Sequence, residues 1–148
     1  MLSLFCDWRC MAQGDWKMGF TEVQVGLPLP PIIFHALRRQ VGARQAERLS
    51  AGGMLLKPED ALSIGLIDEL VSPERVIDRA IEWCSNLLKL PAVAMSETRR
   101  KARADLVGIF QEDLEPEIES VIASWWSNEA QATLKSVAAR LTGKKQSR

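Results

Sequence analysis

The chain contains no tyrosine, one histidine and three cysteines among its 148 residues. The histidine, His35, stands far in sequence from every cysteine, so the ligand spacing of a zinc site is missing. Three is an odd number for a disulfide framework, and each cysteine lies in or beside an apolar run: Cys6, Cys10 and Cys84. We therefore expect no bound metal and reduced, buried thiols, as is typical of proteins inside cells.

An excess of charge of one sign is also missing, because 19 basic residues face 19 acidic ones. This balance argues against a nucleic-acid or membrane-surface partner. The apolar run over residues 1–6 has no basic segment before it and stops at Asp7, too short for a signal peptide or a membrane span. The run also begins without a cap, like the end of a helix whose start is absent. We expect a cytoplasmic protein, or one of an organelle matrix.

Hydrophobic residues make up 47% of the chain, which is enough to bury the core of a single domain. Alternation of polar and apolar side chains over 7–12 and 16–20 predicts two short strands. Proline at helix starts and glycine after helix ends predict most of the other elements. In chain order these are helices over 32–41, 43–51 and 58–64, a strand over 66–71, a helix over 73–90 and an almost wholly helical remainder.

Three apolar stripes at helical spacing stand out in the second half of the chain, and the last is formed by Leu134, Val137, Ala138 and Leu141. The first predicts one continuous buried face, and its members are Val76, Ile77, Ala80, Ile81, Cys84, Leu87 and Leu88. The second predicts a core or interface position for at least one tryptophan, and its members are Ile118, Val121, Ile122, Trp125 and Trp126. The basic run 99–103 between these two has two interpretations: contact with the phosphate groups of a ligand or, as we expect, a solvated face partly offset by acids within 112–119.

The stretch 21–28 places one carboxylate, Glu22, ahead of a turn formed by Gly26, Leu27 and Pro28. A turn can hold a side chain over a cleft, and an apolar surround favours the protonated form of a carboxyl group, which suits proton transfer. The simpler alternative is a surface carboxylate or a helix cap. The three turn residues either shape a binding slot or serve the turn alone.

Four segments in their order and spacing resemble the C-terminal half of the crotonase superfamily, the enoyl-CoA hydratase/isomerase proteins. They are residues 6–12, 19–28, 43–49 and, most distinctively, 61–71. The resemblance implies an α/β fold: a truncated crotonase-like ββα spiral over 1–90, followed by a mainly α-helical region over 91–148 that serves as an oligomerisation or lid region.

The same resemblance implies that Glu22 is the catalytic acid/base of an acyl-CoA enzyme of fatty-acid or related metabolism. Gly26, Leu27 and Pro28 then contact the acyl group, while Arg140 and Lys144 approach the CoA phosphates. No cofactor is expected, since coenzyme A is part of the substrate. The pair Pro30-Pro31 stands where hydratases typically carry two glycines and modestly favours an isomerase. The second carboxylate of the hydratases would precede residue 1.

In this family two backbone N–H groups from a glycine-rich loop and an earlier strand end form an oxyanion hole. Both loops would also precede residue 1, so the resemblance implies an incomplete site. An alternative is therefore a catalytically inactive remnant that acts as an interaction or oligomerisation module. The expected partners are an acyl-CoA substrate and either copies of this chain, in a trimer-based oligomer, or another crotonase chain.

Overall fold

The computed structural model describes residues 1–145, except for the side chains of residues 141 and 143–145. Its elements are β1 (Cys10–Ala12), β2 (Met18–Gly19), α1 (Pro31–Val41), α2 (Ala43–Ala51), β3 (Leu55–Leu56), α3 (Pro58–Ser63), β4 (Glu69–Val71), α4 (Val76–Leu87), α5 (Ala92–Ala102), α6 (Ala104–Ile109), α7 (Glu115–Trp125) and α8 (Asn128–Lys145). Short 3-10 turns cover Leu2–Phe5, Glu22–Val25 and Pro73–Arg75. None of the described helices is both long and apolar enough to cross a bilayer.

Two small sheets hold the first half together. In one, β1 runs parallel to β4, with Met11 opposite Leu70. In the other, β2 runs antiparallel to β3, with Met18 opposite Leu56. The predicted strands over 7–12, 16–20 and 66–71 are confirmed but shorter, while the short strand β3 was not predicted.

Helices α1 and α2 form the centre of the core and match the predicted bounds closely. Pro31 is the first residue of α1, and Gly42 ends it with a φ of 77°. That angle lies where side chains with a Cβ are strained, so glycine allows the chain to turn at once into α2. Leu37 of α1 and Leu49 of α2 are both buried against the cluster that includes Leu66.

A buried arginine joins the two halves of this core. The Arg9 side chain is 8% exposed and lies 3.0 Å from the Asp68 carboxylate. Arg9 also donates to Gln40 of α1 at 2.9 Å and to the Cys6 carbonyl oxygen at 3.2 Å. Because a buried charge needs a partner, this network fixes β1 against α1 and the turn before β4.

The predicted buried stripe on α4 is wrong: in this structure none of its side chains is fully buried. Its inner face contacts β1, but Ile77 and Leu88 on the outer face are 73% and 79% exposed. Helical spacing shows that a face is apolar, yet it does not show what covers that face. Cys84 is exposed rather than buried, as is Cys6, so the expectation of three buried thiols is also wrong.

Ion pairs tie the C-terminal helices to the first half. Asp7 binds Arg99 at 2.8 Å and Arg103 at 2.9 Å. Asp105 of α6 binds Arg39 of α1 at 2.8 Å. The basic run is thus offset by Asp7 and by a neighbour on its own helix, and in the described contacts the acids within 112–119 do not pair with it.

Both tryptophans at the end of α7 are exposed in the chain alone. Trp125 is 45% exposed and Trp126 is 70% exposed. Ile118 and Ile122 on the same helix are about half exposed as well. A core position for either tryptophan is therefore ruled out here, and an interface position stays a prediction.

Candidate functional site

Glu22 begins a tight 3-10 turn that ends at a glycine. The Gln24 amide donates to the Thr21 carbonyl oxygen at 2.9 Å, and the Leu27 amide returns to the Glu22 carbonyl oxygen at 3.0 Å. Gly26 closes the turn with a φ of 75°, a left-handed conformation that glycine adopts at little cost. The backbone of the turn is therefore fixed by its own hydrogen bonds.

A second contact anchors this turn to the loop between α2 and β3. The Gln24 side chain donates to the Gly53 carbonyl oxygen at 2.6 Å. A Cβ at Gly53 would lie 2.9 Å from both the Val23 and Gln24 side chains, so the two loops touch. The sequence did not predict this link, because glycine after residue 51 was taken only as the signal that ends the helix over 43–51.

Helix α8 rests on the other side of the turn. A Cβ placed on Gly26 would lie 3.1 Å from Ala130 Cα and 3.2 Å from the Ala130 nitrogen. Ala130 itself is completely buried. Gly26 thus has a second physical reason to be glycine, since a side chain there would push the helix away.

The Glu22 side chain is partly buried between these supports. Its Oε2 atom is shielded from solvent and accepts no hydrogen bond from any described residue. Leaving a buried polar atom without a partner costs about 1–3 kcal/mol, so such atoms are rare in folded proteins. A carboxylate oxygen with a free lone pair, held on a rigid turn, is chemically suited to accept a proton from a ligand.

Two modest cavities lie on either side of the turn along the chain. One of about 290 Å³ is lined by Met18, Gly19 and Phe20, just before Glu22. The other, of about 260 Å³, is lined by Pro30 and Ile32 together with α7. The largest cavity described, about 470 Å³, lies elsewhere, between α4 and α5, and its lining includes none of residues 21–28.

The predicted binding residues are only partly brought together. Leu27 is half-buried and Pro28 is exposed beside the Glu22 turn. Arg140 is exposed on α8, about 15 Å along the helix axis from Ala130. The Lys144 side chain lies outside the described residues. All these assignments, including slot contact by Gly26, stay predictions.

Other sequence candidates show no catalytic arrangement among the described residues. His35 lies 3.8 Å from the Asp105 carboxylate at the surface, in an exposed ion-pair position. Within residues 1–145 no group of three or more histidine, cysteine, aspartate or glutamate side chains is placed to hold a metal ion.

The structure thus combines a carboxylate on a glycine-ended turn, a parallel strand pair and a helical C-terminal region. The family model described as enoyl-CoA hydratase/isomerase matches residues 1–137. The chain belongs to the enoyl-CoA hydratase/isomerase family. The resemblance inferred from the four sequence segments is therefore confirmed.

Curated relatives carry both activities in their names. A probable enoyl-CoA hydratase of Mycobacterium avium is 37% identical over 110 residues, covering 74% of this chain and 41% of that protein. Human mitochondrial enoyl-CoA delta isomerase 1 is 32% identical over 108 residues, covering 70% of this chain and 36% of that protein. The chain thus matches well under half the length of these relatives.

Solved structures confirm the crotonase fold with its helical C-terminal region. Human mitochondrial delta3-delta2-enoyl-CoA isomerase superposes with a TM-score of 0.87 at 25% identity, covering 96% of this chain and 55% of that one. Carnitinyl-CoA hydratase from Mycobacterium avium gives a TM-score of 0.82 at 21% identity, over 94% of this chain and 54% of that one. Nearly the whole chain therefore matches about half of a crotonase structure.

Proposed function

We propose that this chain is a unit of an enoyl-CoA isomerase or hydratase in which Glu22 moves a proton next to the thioester of an acyl-CoA substrate. The single observation that carries the proposal is the buried, unpartnered Oε2 atom of Glu22 on a rigid turn. The family membership supplies the substrate class, and names of relatives include both reactions.

In the isomerase reaction the Glu22 carboxylate takes a proton from C2 of a 3-enoyl thioester. Negative charge then moves onto the thioester oxygen, and the same carboxyl group returns the proton at C4. The double bond shifts to C2–C3 and atoms balance with no other reactant. One carboxylate is sufficient for this transfer, whereas adding water to a 2-enoyl thioester usually involves two, so we favour the isomerase reaction.

The charge on the thioester oxygen needs stabilisation that Glu22 cannot give. Loss of one backbone donor to such an oxygen costs about 2.7–4 kcal/mol in enzymes that use one. In the family these donors come from loops that precede the matched region, so we propose that they reach the site from another chain or segment. Coenzyme A is part of the substrate in this proposal, and no separate cofactor is involved.

Association with another chain is the second part of the proposal. The outer face of α4 carries Ile77, Ile81 and Leu88, each more than half exposed. A further exposed apolar face lies on α7. This helix belongs to the region 91–148, which we propose to be an oligomerisation or lid region. Apolar area of this kind is typical of protein interfaces, so we propose a trimer-based homo-oligomer or pairing with another crotonase chain.

The direct test is an activity assay of the purified chain with 3-enoyl-CoA and with 2-enoyl-CoA. General acid/base catalysis contributes about 10²–10⁴-fold to a rate, so Glu22→Gln is expected to lose activity by this factor. Glu47→Gln is the matched control, because Glu47 is exposed on α2 and its side chain makes no hydrogen bond or ion pair among the described contacts. Its activity should equal that of the unaltered chain.

Equal rates in all three proteins would refute the role of Glu22. An unaltered chain that associates with a partner chain and is still inactive with both substrates would contradict the catalytic proposal and favour the module role instead. Sedimentation of the same samples tests association, which is expected to weaken in Leu88→Glu. A monomer at all concentrations would argue against the proposed interface.

A further inference from the structure

The groove between α4 and α5 is the largest cavity described and takes no part in the Glu22 site. Its volume is about 470 Å³, within the range of small-molecule sites. Trp83 and Leu87 of α4 form one wall, Met95 of α5 forms the other, and Leu90 closes the apolar end. These side chains offer a continuous apolar path with little polar surface.

The Trp83 wall is held in place by a stack of side chains. Trp8 lies parallel to Trp83 with ring centroids 5.6 Å apart and planes 6° from parallel. The Arg79 guanidinium lies over the Trp8 ring, 5.0 Å from its centroid. Glu69 in turn binds Arg79 at 2.9 Å. A wall fixed in this way costs little to order when a ligand binds.

The other end of the groove is lined by one acid and one base, Asp7 and Arg99, and it carries a net positive charge only together with Arg103, which binds Asp7 from outside the lining. Arg99 donates through its Nε atom to Asp7 at 2.8 Å, and Arg103 binds the same carboxylate at 2.9 Å. Two guanidinium groups thus share one carboxylate, which leaves one positive charge unbalanced. The Arg99 side chain is 50% exposed, and among residues 1–145 its terminal nitrogens have no recorded hydrogen-bond partner. Thr98 adds a hydroxyl group to the lining at this end.

We propose that this groove binds an unbranched aliphatic carboxylate. The alkyl chain lies along Trp83, Leu87 and Met95, and the carboxylate receives two hydrogen bonds from the terminal nitrogens of Arg99, with Thr98 beside it. A planar guanidinium matches a carboxylate in this bidentate manner. The unbalanced charge selects an anion over a neutral lipid, and the apolar wall selects a long chain over a short one. The site is independent of the function proposed for Glu22.

Titration of the ¹⁵N-labelled chain with decanoate, followed by NMR, tests the site. Amide shifts are expected in α4, α5 and the turn between them, and the same concentrations of decan-1-ol or butyrate should bind about tenfold more weakly or less. Arg99→Gln removes the charge while keeping a donor for Asp7, and should weaken decanoate binding about tenfold. Arg38→Gln is the charge-matched control on the exposed side of α1 and should leave binding unchanged.

A pair of matched variants tests the apolar wall. Leu87→Glu places a charge inside the groove, whereas Leu62→Glu places the same charge on α3, where Leu62 is 39% exposed and lies outside the lining. Only the first should abolish binding. Equal affinity for decanoate and decan-1-ol, unchanged affinity in Arg99→Gln, or shifts located outside α4 and α5 would each overturn the proposal. Loss of decanoate binding as protein concentration rises would assign the groove to a second copy of the chain instead.

Discussion

Replacing Gly26 by alanine tests whether α8 is locked onto the Glu22 turn. The new methyl group meets two separate obstacles. Gly26 has a φ of +75°, which costs an L-residue about 1–2 kcal/mol. The added Cβ would also lie 3.1 Å from Ala130 Cα, and a helix backbone cannot yield as a flexible side chain does. Overpacking of this kind costs about 1–3 kcal/mol, so the expected total loss of unfolding free energy is about 2–5 kcal/mol.

Gly65→Ala is the control that separates the two obstacles. Gly65 has the same φ of +75°, but the nearest atom to its added Cβ is the Gln40 carbonyl oxygen at 3.7 Å, an ordinary contact. This variant is therefore expected to lose only the conformational part, about 1–2 kcal/mol. The difference between the two variants isolates the cost of crowding α8.

Urea unfolding of both variants, with midpoints converted at a common m-value, measures that difference. An excess loss of about 1–3 kcal/mol in Gly26→Ala supports close docking of α8 on the turn. A shift of the Ala130 amide resonance in Gly26→Ala, absent in Gly65→Ala, would locate the strain. Equal losses in the two variants would refute the reasoning, because crowding at Ala130 would then contribute nothing.

Three further outcomes follow from contacts elsewhere. Asp68→Asn should lower the unfolding free energy by about 3 kcal/mol in urea titrations, since it leaves the buried Arg9 charge without its partner; no loss would contradict that pairing. Burial acts to raise the pKa of Asp105. The hydrogen bond and charge of Arg39, together with nearby backbone amides, lower it by more, so the pKa of Asp105 lies below its usual value of 3.8. The Asp105 carboxylate therefore adds stability above pH 3.8 that disappears as pH falls through its lowered pKa, and thermal melts of Asp105→Asn should show a weaker acid dependence. Glu22→Met should leave stability equal or raise it by about 1–3 kcal/mol in thermal melts, because it removes a buried unpartnered oxygen; a clear loss would indicate a structural contact.

Elements set by local chemistry could be predicted from the sequence. The bounds of α1 and α2 follow from Pro31 at a helix start and Gly42 between the helices, since both act through their own backbone angles. The Glu22 turn is similar, because Gly26 ends it with a left-handed φ. The family assignment, by contrast, needed four segments in order, as no single one of them is distinctive.

Features that depend on distant residues could not be predicted. The pairing of Gly19 with Leu55 and the hydrogen bond from Gln24 to Gly53 each join residues that are far apart in the sequence. The residues around each partner carry no sequence pattern that predicts which distant residue it will contact. The predicted burial of the apolar stripe on α4 was wrong for a related reason. The helical periodicity is real, but Ile77 and Leu88 face solvent in this chain. Burial is a property of the whole assembly rather than of one helix.

The choice between a structural and a chemical role for Glu22 can be argued from its hydrogen bonds. A carboxylate at the start of a helical turn usually stays there because it accepts from the amides of that turn. In this turn the side chain of Thr21 makes no such cap, and the Gln24 amide is already donated to the Thr21 carbonyl oxygen. Glu22 Oε2 therefore gains nothing from the turn and loses its water. These hydrogen bonds argue against a capping role for Glu22, so proton transfer stays the role proposed for it.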